Sequence, residues 1–283
     1  MAELTWEQAV QWLREQPEQK WLVDACYFDD PLLDAAERFA QSEEWQGTVD
    51  LLPQKTGKAL DLGAGRGISS YALAKAGWQV TALEPDPSLL VGGGAINSLA
   101  QQAHLPITVV EEFGEHLPFE ENTFDLVHGR QVLHHAYDLP TLCKEVARVL
   151  KPGGHFIATR EHVISKKEDL QAFLDSHALH KFYGGENAFL LRDYKAAITS
   201  GGLQLVKALG PFETVINYFP LSHDQWREIC AGPVVHRVGR KLANLLTDES
   251  HIIGRRLLQY YARRLSQTSD APGRLYSFVA EKA

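Results

Sequence analysis

The sequence predicts an α/β fold built on a doubly wound, mostly parallel sheet. Three observations predict it. Residues 58–62 read as a short apolar strand running into Gly63, Gly65 and Gly67, and then into a helix over 68–76 that Gly77 stops. A second strand over 78–83 ends in the carboxylate Glu84. That is about 20 residues past the glycine loop, where an acid at the tip of the second strand meets a ribose. Beyond it, strand and helix patterns alternate, as βαβ units require.

The elements follow in order. Residues 5–16 form a helix in which Thr5 caps, Gln8 sits three residues on, and Trp6, Ala9, Val10 and Leu13 keep helical spacing; Pro17 ends it. The apolar stretch 21–28 leads to Asp29-Asp30-Pro31, which opens a second helix to about residue 45. A helix expected over 87–102 is interrupted by Gly92, Gly93 and Gly94. Three glycines cost about 2–3 kcal/mol against alanine in a helix interior, so that helix starts late or breaks. Strand three spans 107–110 and strand four 124–129; a helix over 138–151 carries the stripe Leu139, Leu142, Val146 and Leu150. Pro152-Gly153-Gly154 turns into strand five, over 154–160. Helices are expected over 166–179 and 191–200, a sixth strand over 203–209, a long helical stretch over 221–268, and an alternating last strand over 274–281.

The glycine spacing narrows the ligand. A dinucleotide fingerprint is Gly-x-Gly-x-x-Gly; here the third glycine comes one residue early and Ile68 holds the fingerprint position. The set Leu60-Asp-Leu-Gly-Ala-Gly-Arg-Gly67, Leu83-Glu-Pro-Asp86, Leu117-Pro-Phe119, Phe124-Asp-Leu-Val127 and Val149-Leu-Lys-Pro-Gly-Gly154 is in order. It resembles the class I S-adenosylmethionine-dependent methyltransferases, in the small-molecule branch related to the ubiquinone-biosynthesis enzymes. The likeness covers residues 55–160 well and 190–210 loosely.

The resemblance implies a seven-stranded Rossmann-like sheet whose last strand is antiparallel. It implies S-adenosylmethionine as cofactor, with Asp61 for its ammonium, Gly63, Ala64 and Gly65 along its amino-acid end, and Glu84 with Pro85 at the ribose. Phe113 stands where the family usually has an acid, so Phe113 and Gly114 would meet adenine through a ring face or a backbone amide; Arg130 and Gln131 complete the cofactor set. It also implies a helical cap over residues 1–50, ahead of a methyltransferase domain over 51–283 with helical insertions at 165–190 and 221–268. From the residues themselves, these segments are not needed for the sheet and carry Trp21, Tyr27, Phe28, Phe173 and Trp226, so they are expected to close over the reactive methyl, be mobile in the free protein, and be ordered by ligand.

Bulk properties agree with a soluble globular protein. Apolar residues make up 45% and charged residues 23% of 283, ordinary for a globular chain. No window reaches the ~20 apolar residues of a membrane span, and the N-terminus lacks the basic and apolar regions of a secretory signal. Cys26, Cys143 and Cys230 are odd in number and far apart, which reads as reduced thiols and a cytoplasmic location. The net charge of −8 divides into −13 over residues 1–150 and +5 over 151–283. The acidic half speaks against nucleic acid as a partner. The basic run Arg237, Arg240, Lys241, Arg255, Arg256, Arg263 and Arg264 reads as a solvated face, a lid over an anionic substrate, or a membrane-surface contact.

Methyl transfer often needs a proton taken from the acceptor. His128, His134, His135 and His162 lie on or after strands four and five, and His134, His135 and His162 are the candidate bases. On a helix, His134 and His135 would point about 100° apart, so one would face the site. No acid or cysteine is spaced to complete a metal site with them, and none is expected. Arg130 and Arg160 either clamp an anionic acceptor or pair with Glu112, Glu161 or Asp138; Tyr27 and Phe28 are candidates to cover the site. The expected function is methylation of a small molecule. A turnover-dead binding protein and a nucleotide-cofactor oxidoreductase are the alternatives.

Overall fold

The structure is a computed structural model that describes residues 4–53, 55–176, 179 and 186–283. Its sheet contains β1 (Lys58–Leu62), β2 (Gln79–Leu83), β3 (Ile107–Val110), β4 (Phe124–Arg130), β5 (Leu150–Ile164), β6 (Phe189–Leu190), β7 (Leu203–Leu209) and β8 (Arg274–Lys282). Their order is β3-β2-β1-β4-β5-β8-β7, with β6 beside the far end of β5. All pairs are parallel except those of β8, which runs antiparallel between β5 and β7. The expected sheet is therefore present with its antiparallel last strand. β6, two residues long, carries too little pattern to be read from sequence.

Helices cover both faces. Before β1 come α1 (Trp6–Arg14), α2 (Lys20–Ala25), α3 (Leu32–Ala40) and α4 (Glu43–Val49). The capping box of Thr5 and Gln8 is formed. The single helix expected after Pro31 is two, because the Ser42 side chain accepts from the Trp45 amide and starts α4. Then follow α5 (Ile68–Lys75), α6 (Gly93–Ala103), α7 (Leu139–Val149), α8 (Asp169–Asp175) and α9 (Leu191–Ser200). The late start of α6 has a packing cause: a Cβ on Gly92 would lie 2.0 Å from the Asp86 carbonyl oxygen. The 166–179 helix is shorter than expected, and its continuation lies partly outside the described residues.

The core has two main parts, one on each face of the sheet. α7 and α9 pack on one, around Leu62, Val127, Leu142, Phe156 and Phe278. α3 and α5 pack on the other, around Phe39, Tyr71, Leu73, Leu126 and Ile157. A smaller core joins Ala9, Leu13, Leu22 and Val23 of the N-terminal helices to Leu179. The 221–268 stretch and its approach form α10 (Val215–Tyr218), α11 (His223–Val238), α12 (Arg240–Leu246) and α13 (Ile252–Thr268). α11–α13 pack mainly on one another through Trp226, Cys230, Val234, Ala243, Leu258 and Tyr261.

Candidate active site

The strand tips of β1, β2, β4 and β5 open into a cavity of about 960 Å³. This is near the top of the ~300–1,000 Å³ range of ligand pockets, and at the edge where doubly wound sheets bind them. Asp61, Gly63, Ala64, Gly65, Glu84, Pro85, Phe113, Gly114, Arg130 and Gln131 all line it, as do Tyr27, Arg160, His134, His135 and His162. Every candidate site residue chosen from sequence thus meets one chamber.

One end of the chamber is built on the glycine loop. Gly63 has φ +60°, and a Cβ there would come within 2.3 Å of a Val132 methyl, so backbone conformation and space both demand glycine. Asp61, at the end of β1, is 1% exposed; it accepts from the Ser70 hydroxyl at 2.6 Å and faces His128 Nδ1 at 3.2 Å. Glu84 sits one residue past β2. Its carboxylate accepts from the Gly65 amide at 2.7 Å and the Asp86 amide at 3.1 Å. Burial pushes its pKa up to about 7 against those two donors. Phe113 is 56% exposed at the cavity wall. Glu112 is turned back onto the Phe113 amide at 2.8 Å. Gly114 is hemmed by Leu142 and Leu62, 3.0 and 3.3 Å from where its Cβ would be.

At the other end lies a charged cluster that the sequence placed differently. Neither Arg130 nor Arg160 pairs with Glu112, Glu161 or Asp138. Arg130 makes a two-pronged contact with Glu44 of α4, at 2.6 and 3.2 Å, and Arg160 Nε lies 3.8 Å from the same carboxylate. Arg160 also donates to the carbonyls of Ile216 and Phe219, at 2.6 and 2.9 Å. Glu44 is 1% exposed. Burial raises its pKa, but the two guanidinium charges outweigh burial and hold it below the ordinary value. Two cations share one anion, leaving one net positive charge beside the cavity. Glu44 was invisible as a site residue because it reads as an acid in the first turn of a surface helix.

Backbone conformation is unusual at the same place. Tyr27, Gln131 and Arg160 hold φ of 59°, 57° and 60°. Non-glycine residues there are uncommon and cluster at functional sites. Thr159 and Arg160 together oppose Ser277 where the β5–β8 register shifts between Ala158 and Glu161. This bulge re-aims Arg160 towards the chamber.

The histidines separate into two groups. His128 is 1% exposed, packs edge-on to Trp45 and is not among the lining residues. It orients Asp61. His134 and His135 lie on a single 3₁₀ turn, Leu133–His135, rather than on a helix, and both line the cavity. The expectation that one of them faces away is corrected accordingly. His134 Nδ1 meets Glu161 at 2.8 Å, and His162 Nδ1 donates to the Gly273 carbonyl at 2.9 Å. Glu161 is fully buried, and burial pushes it up to about 7 although the Val132 and His134 amides bond it. His162 is held well below its ordinary pKa, first by burial and then by His134. A carboxylate that sequence spacing had not supplied arrives from the loop before β6: Glu186 is 3.5 Å from His134 and 3.9 Å from His135.

Tyr27, Phe28, Trp6 and Trp21 from the N-terminal helices line the cavity, with Leu179, Glu186 and Asn187 from the 165–190 segment. No described lining residue falls in 221–268, so the expectation that this stretch closes over the site is corrected: α11–α13 bury their apolar residues against each other instead. Cys26, half-buried, also lines the chamber; all three cysteines are free. Among the described residues, no helix is long and apolar enough to cross a membrane.

The N-terminal helices are tied to the glycine loop by a residue that sequence reasoning passed over. Arg66, 6% exposed, donates to the carbonyls of Tyr27, Asp29 and Leu90 at 2.8, 3.0 and 2.9 Å and to the Asp30 carboxylate at 2.6 Å. Its place inside the glycine motif was the available signal.

Comparison with known proteins agrees with this geometry. Residues 60–158 match the family model described as a methyltransferase domain. A glycine/sarcosine/dimethylglycine N-methyltransferase of Actinopolyspora halophila is 32% identical over 69% of this chain and 32% of its own length. A demethylmenaquinone methyltransferase of Corynebacterium efficiens is 34% identical over 46% of this chain and 56% of its own. The chain thus spans about a third to a half of these relatives. The geranyl diphosphate C-methyltransferase of Streptomyces coelicolor A3(2) shares the fold, with TM-score 0.58 and 15% identity over 92% of this chain and 88% of that one. Residues 60–158 accordingly match a methyltransferase domain, and the chain is a homologue of methyltransferases.

Proposed function

We propose that this chain is an S-adenosylmethionine-dependent methyltransferase acting on a small-molecule acceptor. The observation that carries the reading is the buried Glu84 carboxylate, 2.7 Å from the Gly65 amide on the wall of a 960 Å³ chamber. One carboxylate accepts both hydroxyl hydrogens of a ribose. The shape and composition of the chamber fit the rest of the cofactor: Asp61 for an ammonium, Phe113 and Gly114 for a flat base, and space beyond for an acceptor.

The cofactor, when bound, supplies a methyl group on a sulfonium, a good leaving group. The chain's task is then placement and water exclusion. Gly63, Ala64 and Gly65 offer a backbone surface without large side chains. Tyr27, Phe28 and Trp6 line the chamber with apolar surface, and excluding water there would strengthen electrostatics around a cation. His134, His135 and His162 line the chamber and are the candidates to assist an acceptor that must lose a proton. The surplus positive charge of Arg130 and Arg160 over Glu44 favours an acceptor carrying an anionic group. Residues 1–50 and the 165–190 segment serve as the cap that selects it.

Calorimetry tests the cofactor. S-adenosylhomocysteine is expected to bind and NAD is not; tight NAD binding without S-adenosylhomocysteine would instead support the oxidoreductase reading. A screen of small acceptors with methyl-labelled cofactor then separates an enzyme from a binding protein.

A further inference from the structure

We propose that His134, His162 and Glu186 form a site for a divalent transition-metal ion on the acceptor side of the chamber. One ligand atom from each lies within 4.8 Å of the others. Two histidines and a carboxylate are a ligand set suited to zinc, manganese or ferrous iron.

The hydrogen bonds around the trio decide which atoms face the ion. A carbonyl only accepts, so His162 Nδ1, 2.9 Å from the Gly273 oxygen, carries the proton and Nε2 holds the lone pair. His134 Nδ1 is likewise engaged by the Glu161 carboxylate at 2.8 Å, which turns Nε2 towards Glu186, 3.5 Å away. Metal-bound histidines usually have this arrangement, one nitrogen on the ion and the other on a carboxylate or carbonyl that fixes the tautomer. Glu161 is itself pinned by the Val132 and His134 amides, at 3.1 Å each.

The fit is close. An ion about 2.1 Å from its ligands holds them roughly 3–3.5 Å apart. The His134–Glu186 distance of 3.5 Å already meets that spacing. One ligand atom of each residue lies within 4.8 Å of the others, so gathering the set round an ion takes side-chain rotation of about an ångström or more. Three protein ligands leave open positions, and all three residues line the chamber. The ion would hold an acceptor through ionised oxygens and favour their deprotonation. An ortho-dihydroxy aromatic or a hydroxy-carboxylate fits such a site.

Cobalt(II) is the probe, because its visible bands report coordination. The intact chain is expected to take up one Co²⁺ per molecule with absorption typical of nitrogen and oxygen ligands. Glu186→Gln and His162→Ala should each weaken uptake at least tenfold, and Glu161→Gln by about tenfold, with unfolding midpoints and circular dichroism confirming that the variants fold. Catechol added to the Co²⁺ form should shift the bands. Failure of the intact chain to bind Co²⁺, Zn²⁺ or Mn²⁺, or binding unchanged in folded Glu186→Gln and His162→Ala, overturns the site. An unshifted spectrum with catechol overturns its place on the acceptor side. S-adenosylhomocysteine binding is measured separately, so failure of the methyltransferase reading is distinguishable.

Discussion

Glu84 makes the proposed cofactor site sensitive to pH near neutrality. Burial lifts its carboxyl from 4.5 to about 7, against two backbone donors that pull it down. A ribose needs the ionised form, because both its hydroxyls donate. Binding therefore requires a proton to leave, and affinity should fall tenfold for each pH unit below about 7, or ~1.4 kcal/mol per unit. The same shift sets the sign for stability. An acid whose folded pKa is raised binds more protons folded than unfolded, so its contribution is fully present below pH 4.5 and is lost as pH rises through about 7. The loss amounts to roughly 3 kcal/mol. Ligand-free protein should thus lose stability across that window and regain it on binding. Glu161 titrates in the same range, so the comparison with Glu84→Gln isolates the effect. The assay is calorimetry with S-adenosylhomocysteine at pH 5.5–8 in buffers of different ionisation enthalpy. Proton release near pH 6.5 in wild type, absent in Glu84→Gln, is expected. A pH-independent affinity with no proton release would refute the reasoning.

Three further outcomes are expected. Arg66→Ala should destabilise by about 1.5–3 kcal/mol, the scale of hydrogen bonds lost from a charged donor, and raise hydrogen exchange in residues 20–31 before the sheet; unchanged exchange there would count against its anchoring role. Glu44→Gln leaves Arg130 and Arg160 facing each other without a counter-charge, so thermal unfolding should show a loss of about 3–5 kcal/mol. Wild type should show a smaller loss below pH 4.5, as Glu44 protonates through its lowered pKa. The pair Arg255→Ala and Arg256→Ala, on a helix outside the cavity lining, should leave S-adenosylhomocysteine affinity within twofold of wild type, and a tenfold loss would restore α13 to the site.

The glycine-loop end of the chamber was more legible in the sequence than the end with the arginines and histidines, for a physical reason. Asp61, Gly63, Gly65 and Glu84 are set by one strand, its turn and the next strand tip, so fixed spacing fixes their places. The other end is assembled from residues far apart in the chain. Glu44 meets Arg130 across 86 residues, and Glu186 meets His134 from the loop before β6. Periodicity marks such acids as surface polar residues. Strand boundaries were readable where both faces are buried, as in β1 and β4. The extension of β5 to Ile164 was not, since its bulge at Arg160 breaks the pattern that a strand should show.

The cap was expected to be mobile in the free protein, and Arg66 argues for a narrower kind of motion. Its guanidinium holds the Tyr27 and Asp29 carbonyls and the Asp30 carboxylate from inside the glycine loop. Arg14 reinforces the same turn by donating to Asp30 at 2.8 Å. Hydrogen bonds from a charged donor contribute about 1.5–3 kcal/mol each. Releasing even two of them leaves an opened cap at less than roughly 1% of molecules. The turn carrying Tyr27 is then a fixed wall, built on the loop that the cofactor would touch, and its φ of 59° is held by the same contacts. Acceptor choice would rest on a preformed surface of Tyr27, Arg130 and Arg160, set against the histidines across the chamber. Discrimination would come from the shape and charge of that surface, with no cost of assembling it when ligand arrives.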